Sequence, residues 1–453
     1  MGFINQNNCL VNDSIGNIYV FNWSEHGIKL LTYTKTSGQV NNKIVVEDSI
    51  DEYDVTIDEN DTIYLVCQKE DGSIILLLYD NDTWDESIIA ESFNSRLYNL
   101  NIIRTNSKLH IIYCVSSNED PNRLKIYHHY LQDDNWVTHE VEEISKKEIL
   151  NSFQIITRGD EIILGYYNLI GNFEEVFIKV FNINNSTWTE SIQITSKQTT
   201  KLYIDLLLTK DGYINITYSE YKNGNLTIKF EKYKLLENNS IKICENVISN
   251  PSNCMYPTLV YSQGMLWNIW TEYDNVVSCF SDDNGLSWSL PHLWTESKNN
   301  DFTRYKFISN DVNTNINHNL NHSFGFLGSE ITFIGFGNIE DAVEIPLKSK
   351  KKEKTVDRQD LSGRGKKKAI KEKGDAEMEK EIVSLKENMQ SLELHVKKLE
   401  NYIKDSNDEK DNNYSSEVAK YANKIEDIEK RLDEIESYIF RRRRNNPFFS
   451  SRE

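Results

Sequence analysis

Short apolar runs bounded by turn residues recur along the first three quarters of the chain at a nearly constant interval. The runs are marked by Ile18, Ile63, Leu109, Ile162, Ile214, Leu266 and Ile331, which follow one another at steps of 45 to 65 residues. A tryptophan that opens a later strand is a second marker, and Trp84, Trp136 and Trp188 are spaced by 52 residues. Because two independent markers share a period of about 50 residues, the sequence predicts a structural repeat.

Each repeat contains four short runs of β-branched and aromatic residues, separated by turn residues and without helical periodicity. Strands of this kind at even spacing predict an all-β fold made of four-stranded propeller blades. Six blades cover residues 8–298, and strands at 303–308, 331–336 and 342–345 predict a seventh blade that residues 2–5 complete. Pairing of the two ends would remove an exposed sheet edge. A six-bladed ring with a C-terminal appendage is the alternative.

The pattern changes after residue 375, where apolar residues recur at alternating steps of four and three. This period predicts two coiled-coil helices, 376–404 and 415–440, which either self-associate between chains or pair as a hairpin within one chain. Residues 347–375 predict a flexible basic linker. The tail, 441–453, begins with Arg441, Arg442, Arg443 and Arg444, which suit an acidic partner or a membrane surface, or complement the dipole of the preceding helix.

Charge is distributed unevenly along the chain. Residues 1–346 carry 24 Lys and Arg against 47 Asp and Glu, a net charge of −23, whereas residues 347–453 carry 27 against 23. Because the acidic front portion repels phosphates, nucleic acid is not expected as a ligand of the propeller. The six cysteines show no CxxC spacing, which favours buried, reduced thiols over a disulfide framework.

The first residues lack the basic and apolar regions of a signal peptide, and no run approaches the ~20 apolar residues of a membrane span. We therefore expect synthesis in the cytoplasm, with incorporation into a coat or particle as the alternative. No cofactor motif is present. His318 and His322 lie in an Asn-rich stretch, 309–325, whose composition favours a solvated loop over a metal site.

One turn carries a recognisable pattern, since Ser281 to Trp288 read Ser-Asp-Asp-Asn-Gly-Leu-Ser-Trp. Asn-Gly accepts the positive φ of a tight turn, and Asp283 is short enough to accept hydrogen bonds from the amides of the turn. The pattern resembles the Asp-box, Ser-x-Asp-x-Gly-x-Thr-Trp, of sialidase-like (BNR-repeat) β-propellers, with Ser287 in place of threonine. The resemblance implies that Ser281, Asp283, Gly285 and Trp288 are structural and that a ligand site lies on the opposite face.

The resemblance implies a sialidase-type active site. Such a site binds a substrate carboxylate through three arginines and uses a Tyr–Glu nucleophile pair with an aspartate acid/base. Candidates for a ligand site on the face opposite the Asp-box are Trp23, Arg96, Arg123, Tyr221, Tyr256, Glu272, Tyr273 and Arg304. The Arg-Ile-Pro element of sialidases is absent, because the first proline is Pro121.

The sequence therefore favours a non-catalytic protein whose propeller binds a glycan or protein partner and whose coiled coil oligomerises it. A sialidase-type glycoside hydrolase and a structural subunit of a coat or phage-like particle are the alternatives.

Overall fold

A computed structural model describes residues 3–347, apart from 81–82, 92–94, 106–107, 117–119, 121, 133–134, 146, 148–151, 223, 238, 327–330 and 341. The basic linker, the two coiled-coil helices and the Arg-rich tail predicted from the sequence fall at or beyond residue 347, and nearly all of this region lies outside the described residues. No helix in the described part of the chain is long and apolar enough to cross a membrane.

Consecutive strands fold into antiparallel meanders, since each apolar run is followed by a turn that reverses the chain. The first three meanders are β1 (Asn8–Asn12), β2 (Ile18–Ser24), β3 (Gly27–Tyr33) and β4 (Val40–Val46); β5 (Ser49–Ile57), β6 (Ile63–Lys69), β7 (Ile74–Asp80) and β8 (Thr83–Ala90); and β9 (Leu97–Thr105), β10 (Lys108–Ser116), β11 (Arg123–Gln132) and β12 (Asn135–Ser145).

Three further meanders have the same antiparallel order, except that two short strands follow β15 and both pair with it. They are β13 (Phe153–Arg158), β14 (Glu161–Ile170), β15 (Phe173–Asn182), β16 (Thr187–Trp188) and β17 (Ile192–Gln193); β18 (Thr200–Leu208), β19 (Ile214–Lys222), β20 (Asn225–Leu235) and β21 (Ser240–Val247); and β22 (Cys254–Ser262), β23 (Met265–Glu272), β24 (Asn275–Ser281) and β25 (His292–Trp294), which a short 3-10 helix (Thr295–Lys298) follows.

The last part of the described chain returns to sheets that have already formed. Its elements are β26 (Phe302–Ser309), α1 (Val312–Asn317), β27 (His318–Leu320), β28 (His322–Phe326), β29 (Phe333–Ile334) and β30 (Ala342–Glu344). Strand β26 pairs in parallel with β1, β28 and β29 extend the same sheet, β27 pairs with β22, and β30 pairs with β25.

The strands that we expected to form a seventh blade are therefore divided between the first and sixth sheets, and the described strands form six sheets. Strand β26 joins the inner edge of β1 because its hydrogen bonds satisfy backbone groups that would otherwise be unpaired in the interior. The expected pairing of the N-terminus with this last segment is confirmed at Phe3, which bridges Phe302, and at Ile4, whose N–H donates to the Phe302 carbonyl at 2.8 Å.

The arrangement of the sheets is propeller-like, because the first strand of each meander lies innermost and four of the five successive pairs of first strands are in contact. Such contacts join β1 to β5, β5 to β9, β13 to β18 and β18 to β22. Apolar clusters fill the spaces between successive sheets. The marker tryptophans lie in these spaces and are half-buried: the Trp84 ring packs 6.4 Å from Phe21 and the Trp288 ring 4.8 Å from Phe230.

The turn between β24 and β25 has the hydrogen bonds predicted for it. The Asp283 carboxylate accepts from the Ser287 N–H at 2.8 Å and the Ser287 hydroxyl at 2.7 Å, and the Gly285 N–H donates to the Ser281 hydroxyl at 2.7 Å. Gly285 has φ +92°, and a Cβ there would lie 2.4 Å from the Phe230 ring, so only glycine fits. The expectation of buried thiols is also confirmed, since all six cysteines are free and five are fully buried.

Candidate functional site: a cavity at the centre of the ring

A cavity of about 670 Å³ opens at the end of the ring where the inner strands begin. Because each meander reverses direction at every turn, this end is opposite the Asp283 turn. Residues from all six sheets line it, together with side chains of β26 and β28. Its volume falls within the range of sites that bind small molecules or the ends of chains.

Bulges in four inner strands supply much of the lining. Strands β5, β9, β18 and β22 each lose register with the neighbouring strand near the cavity. The residues released from pairing line the cavity: Asp51, Glu52, Asn99, Leu100, Tyr203, Ile204, Tyr256 and Pro257. A bulge turns side chains away from the regular alternation of a strand, and bulges are common beside functional sites.

Three of these bulge residues have a left-handed backbone conformation. The φ angles are +54° at Asn99, +57° at Tyr203 and +52° at Tyr256. This conformation is costly for bulky residues, and tyrosine has no local reason to adopt it. The Tyr203 and Tyr256 rings pack in a tilted arrangement with centroids 4.3 Å apart, and Phe3 packs 4.9 Å from Tyr256. The surrounding aromatic packing therefore stabilises the strained conformation.

The floor of the cavity is formed by Arg304 and Lys306 of β26 and by His322 of β28. The Arg304 guanidinium donates to Asp205 of β18 at 2.9 Å and to Thr258 of β22 at 2.8 Å. Lys306 donates to Asp54 of β5. Since these partners belong to three different sheets, β26 lies in the interior of the ring and both cations are neutralised by buried carboxylates.

Asp54 and Asp205 occupy equivalent places in their sheets. The Asp54 carboxylate accepts from the Ile102 N–H at 2.7 Å and the Asp205 carboxylate from the Leu259 N–H at 2.8 Å, and in each case the amide belongs to the inner strand of the next sheet. Each carboxylate therefore joins two neighbouring sheets and a cation of β26. Burial and the nearby Arg304 lower the pKa of His322 to about 4, so its imidazole is neutral at pH 7 beside Asp205.

One wall of the cavity carries aromatic side chains held by polar contacts. The Trp23 indole donates to the Ser49 carbonyl at 2.8 Å. Tyr98 is 38% exposed, and the Arg96 guanidinium lies 5.8 Å from its ring centroid. Arg96 in turn pairs with Asp51 at 2.6 Å. These contacts hold two aromatic rings at the cavity before any ligand arrives.

Glu52 is the acidic group of this wall without a cation of its own, since it forms no ion pair with any residue that the structure describes. Burial raises its pKa to about 7, although the Leu100 N–H donates to the carboxylate at 3.3 Å. The Glu52 carboxyl group therefore changes charge near neutral pH.

Three side-chain amides also line the cavity. The amide nitrogens of Asn7, Asn99 and Asn101 donate to backbone carbonyls at 2.8, 2.9 and 2.8 Å. Their amide oxygens accept no hydrogen bond from the part of the chain that the structure describes. Each of these asparagines is thus fixed by its nitrogen and leaves an acceptor oxygen for a ligand.

The structure brings together only part of the candidate set from the sequence. Trp23, Tyr256 and Arg304 line the cavity, and Arg96 adjoins it through Asp51 and Tyr98. The remaining four candidates, Arg123, Tyr221, Glu272 and Tyr273, do not line it. Glu272 instead accepts from the Trp270 indole at 3.4 Å, and Tyr273 is 66% exposed in the turn after β23.

The carboxylate clamp of a sialidase is not assembled from the three arginines considered. Arg304 pairs with Asp205, Arg96 with Asp51, and Arg123 with Glu143 at 2.9 Å on the neighbouring strand β12. Each guanidinium is bound to a different acidic residue, and one of the three lines the cavity. No group of three or more His, Cys, Asp or Glu side chains in the described ranges is placed to hold a metal ion.

Sequence reasoning missed Glu52, Asp54, Asp205 and Lys306. The signal available for this region was a tyrosine near the start of three inner strands, at Tyr98, Tyr203 and Tyr256. The Asn-rich stretch was also interpreted wrongly, because it forms α1, β27 and most of β28. Asn319 and Asn321 donate to the Leu208 and Leu206 carbonyls at 2.7 and 3.1 Å, so asparagines satisfy buried backbone groups there.

No protein-family model and no curated protein matches the chain. Among solved structures, an ulvan lyase, which is a polysaccharide lyase, aligns over 73% of this chain and 94% of its own with 11% identity and a TM-score of 0.48. The SapL1 lectin, in complex with alpha methyl fucoside, aligns over 63% and 94% with 8% identity and a TM-score of 0.37. The Aleuria aurantia lectin aligns over 62% and 94% with 10% identity and a TM-score of 0.36. Similarity this low assigns no ligand or activity to this chain.

Proposed function

We propose that the protein is a glycan-binding protein and that the end of a glycan enters the central cavity. The observation that carries this proposal is the combination of positioned aromatic rings with fixed acceptor oxygens around one cavity. Aromatic faces stack on the C–H faces of sugar rings, while carbonyl and carboxylate oxygens accept hydrogen bonds from sugar hydroxyls.

Binding is favoured over hydrolysis because a second free carboxylate is missing among the described cavity residues. Glu52, with its raised pKa, resembles the acid of a glycoside hydrolase. Its neighbours are both engaged: Asp54 accepts from Lys306 and the Ile102 N–H, and Asp51 pairs with Arg96. Neither is available as the nucleophile or base that would complete the pair.

The proposal predicts that glycan binding weakens when the exposed Tyr98 ring is removed from the wall of the cavity. Replacing Tyr98 with alanine should weaken binding of the full chain to its best ligand on a printed glycan array by about 10-fold, since a lost stacking contact costs roughly 1.4 kcal/mol. Tyr273→Ala is the matched control, because Tyr273 is also an exposed tyrosine but does not line the cavity. Equal binding by the Tyr98→Ala protein and the wild type would contradict the proposal.

The finer architecture belongs to the same proposal. The ring has six blades, and the segment from β26 to β28 closes its interior as an appendage of the first and sixth sheets. The Asp283 turn serves as an Asp-box of the sialidase-like type, with its Ser287 hydroxyl in the place of threonine. Its role is structural and it contributes nothing to the ligand site.

The C-terminal region oligomerises the protein in this proposal, so that weak sites on several propellers act together. Light scattering of the full chain at micromolar concentration should give a dimer or trimer. A Leu385→Asp/Ile428→Asp double variant, which places charges in both predicted seams, should be monomeric. Ser384→Asp/Asn423→Asp adds the same charges outside the seams and should leave the oligomer intact. A monomeric wild type would favour the intramolecular hairpin and remove the avidity.

A further inference from the structure

We propose that the cavity selects glycan ends that carry no negative charge, and that Glu52 is the group that rejects acidic sugars. This inference rests on the proposed function and names the ligand class of the same site. A cavity of this kind rejects uronates, sialosides and sulfated sugars. Its selectivity is therefore the opposite of that of a sialidase-type site, which binds an acidic sugar.

The closed floor favours a chain end over a continuous polymer. Arg304, Lys306 and His322 lie at the base of the cavity, and their strands β26 and β28 belong to the segment that occupies the interior of the ring. Asn319 and Asn321, between β26 and β28, bind backbone carbonyls of the inner strand β18. A ligand can therefore enter from one end of the ring and stop at these side chains.

The cations of the floor are not available to a ligand anion. Arg304 is bound by Asp205, and Lys306 by Asp54. His322 is neutral at pH 7 because its pKa is lowered to about 4. Since each positive charge has a buried carboxylate beside it, the floor offers an acidic sugar no net attraction.

The charge that distinguishes neutral from acidic sugars lies on the walls of the cavity. Asp51 forms an ion pair with Arg96 at 2.6 Å, whereas Glu52 forms no ion pair with any residue that the structure describes. The Asn7, Asn99 and Asn101 side chains add acceptor oxygens to the cavity lining. Sugar hydroxyls donate to such groups, but a carboxylate or sulfate would place its own oxygens against them.

A printed array of paired oligosaccharides tests the inference with the full chain. The pairs end in glucose or glucuronate, galactose or galacturonate, and mannose or mannuronate, so that the members differ by one carboxylate. In whichever pair binds, the neutral member should bind at least about 10-fold more tightly at pH 8, as expected for an unshielded charge a few ångströms away.

The Glu52→Gln variant identifies the responsible group. It should narrow the neutral-to-acidic ratio by about 3- to 10-fold, and because the ratio compares two ligands on the same protein, a weaker affinity for both members does not affect this result. Glu272→Gln is the matched control, since Glu272 lies outside the cavity lining and this change should leave the ratio unaltered. Circular dichroism of each variant verifies that its fold is retained.

The wild-type ratio should also rise between pH 5.5 and pH 8. Burial raises the pKa of Glu52 to about 7, so the group is neutral at the lower pH and ionised at the higher. The cavity is also lined by Asp51, Asp54, Lys306, Arg304 and His322, and Arg96 adjoins it through Asp51. The Glu52→Gln protein shows what these groups contribute. Its ratio should stay nearly constant over this range.

Each outcome separates the two proposals. Acidic members that bind as well as neutral ones, or a Glu52→Gln ratio equal to that of the wild type, overturn this inference and leave glycan binding standing. A folded wild-type protein that binds no member of any pair overturns the proposed function, and this inference with it.

Discussion

Replacing Asp205 with alanine should lower the free energy of unfolding by about 3–5 kcal/mol. Asp205 is 1% exposed and accepts hydrogen bonds from the Arg304 guanidinium at 2.9 Å and the Leu259 N–H at 2.8 Å. The substitution leaves a guanidinium in the interior without its carboxylate and an inner-strand amide without its acceptor. Removing one partner of a buried ion pair costs this much because the remaining charge is not solvated.

Chemical unfolding followed by tryptophan fluorescence measures this change. The eight tryptophans all precede residue 295, so the signal reports on the propeller and not on the C-terminal region. Glu143→Ala is the matched control, because Glu143 also binds an arginine, Arg123, at 2.9 Å, but on the surface with side chains 39% and 56% exposed. Its loss should cost less than about 1 kcal/mol.

Equal effects of the Asp205 and Glu143 substitutions would show that water reaches Arg304, and that β26 does not lie in a dry interior. An Arg304→Met/Asp205→Leu double variant provides a second test of whether this ion pair is buried. It should be less destabilised than the two single changes combined, because replacing both partners leaves no unpaired charge.

Acidification should destabilise the propeller strongly between pH 6.5 and pH 4.5. His110 and His128 are fully buried, with a ring nitrogen of each 3.0 Å from the other, and Tyr130 and Phe181 pack around them. Burial lowers the pKa of His110 to about 4, and burial with the nearby His110 lowers that of His128 well below its usual value. The folded pair is therefore neutral where the unfolded chain binds protons.

The direction of this pH dependence follows from the linkage between proton binding and folding. Because the folded pKa values lie below the unfolded value of about 6.5, the full stability is present above this pH and is lost as the pH falls towards 4. His110 alone accounts for about 2–3 kcal/mol at pH 4.5. Lys108 near His110 and the neighbouring histidines near His128 further disfavour protonation of the pair, which acts in the same direction.

Thermal unfolding from pH 7.5 to pH 4.5 tests this expectation. A His110→Gln/His128→Gln double variant keeps polar groups that can bond to each other but cannot titrate, so its melting temperature should fall less steeply with acid. His26→Gln changes an exposed histidine and should behave as the wild type. A double variant with the wild-type slope would place the acid sensitivity elsewhere.

Much of the fold could be predicted from the sequence, because it depends on interactions between residues that are close together in the chain. The alternation of apolar runs and turns gave the antiparallel meanders, since strand pairing across a tight turn depends on neighbouring residues. Asp283 and Gly285 specified their turn for the same reason. The burial of the cysteines followed from the apolar runs around them, and the closing of the ring at Phe3 followed from the need to cover a sheet edge.

The tertiary structure alone decided where the last segment goes and what the cavity contains. Arg304 and Lys306 alternate with apolar residues in β26, which is also the pattern of a strand with one face in water. Nothing near them in the sequence identifies their partners, because Asp205 is 99 residues away and Asp54 is 252 residues away. The bulges that expose Glu52 and Tyr256 arise where the inner strands converge, a constraint that exists only once the ring has closed.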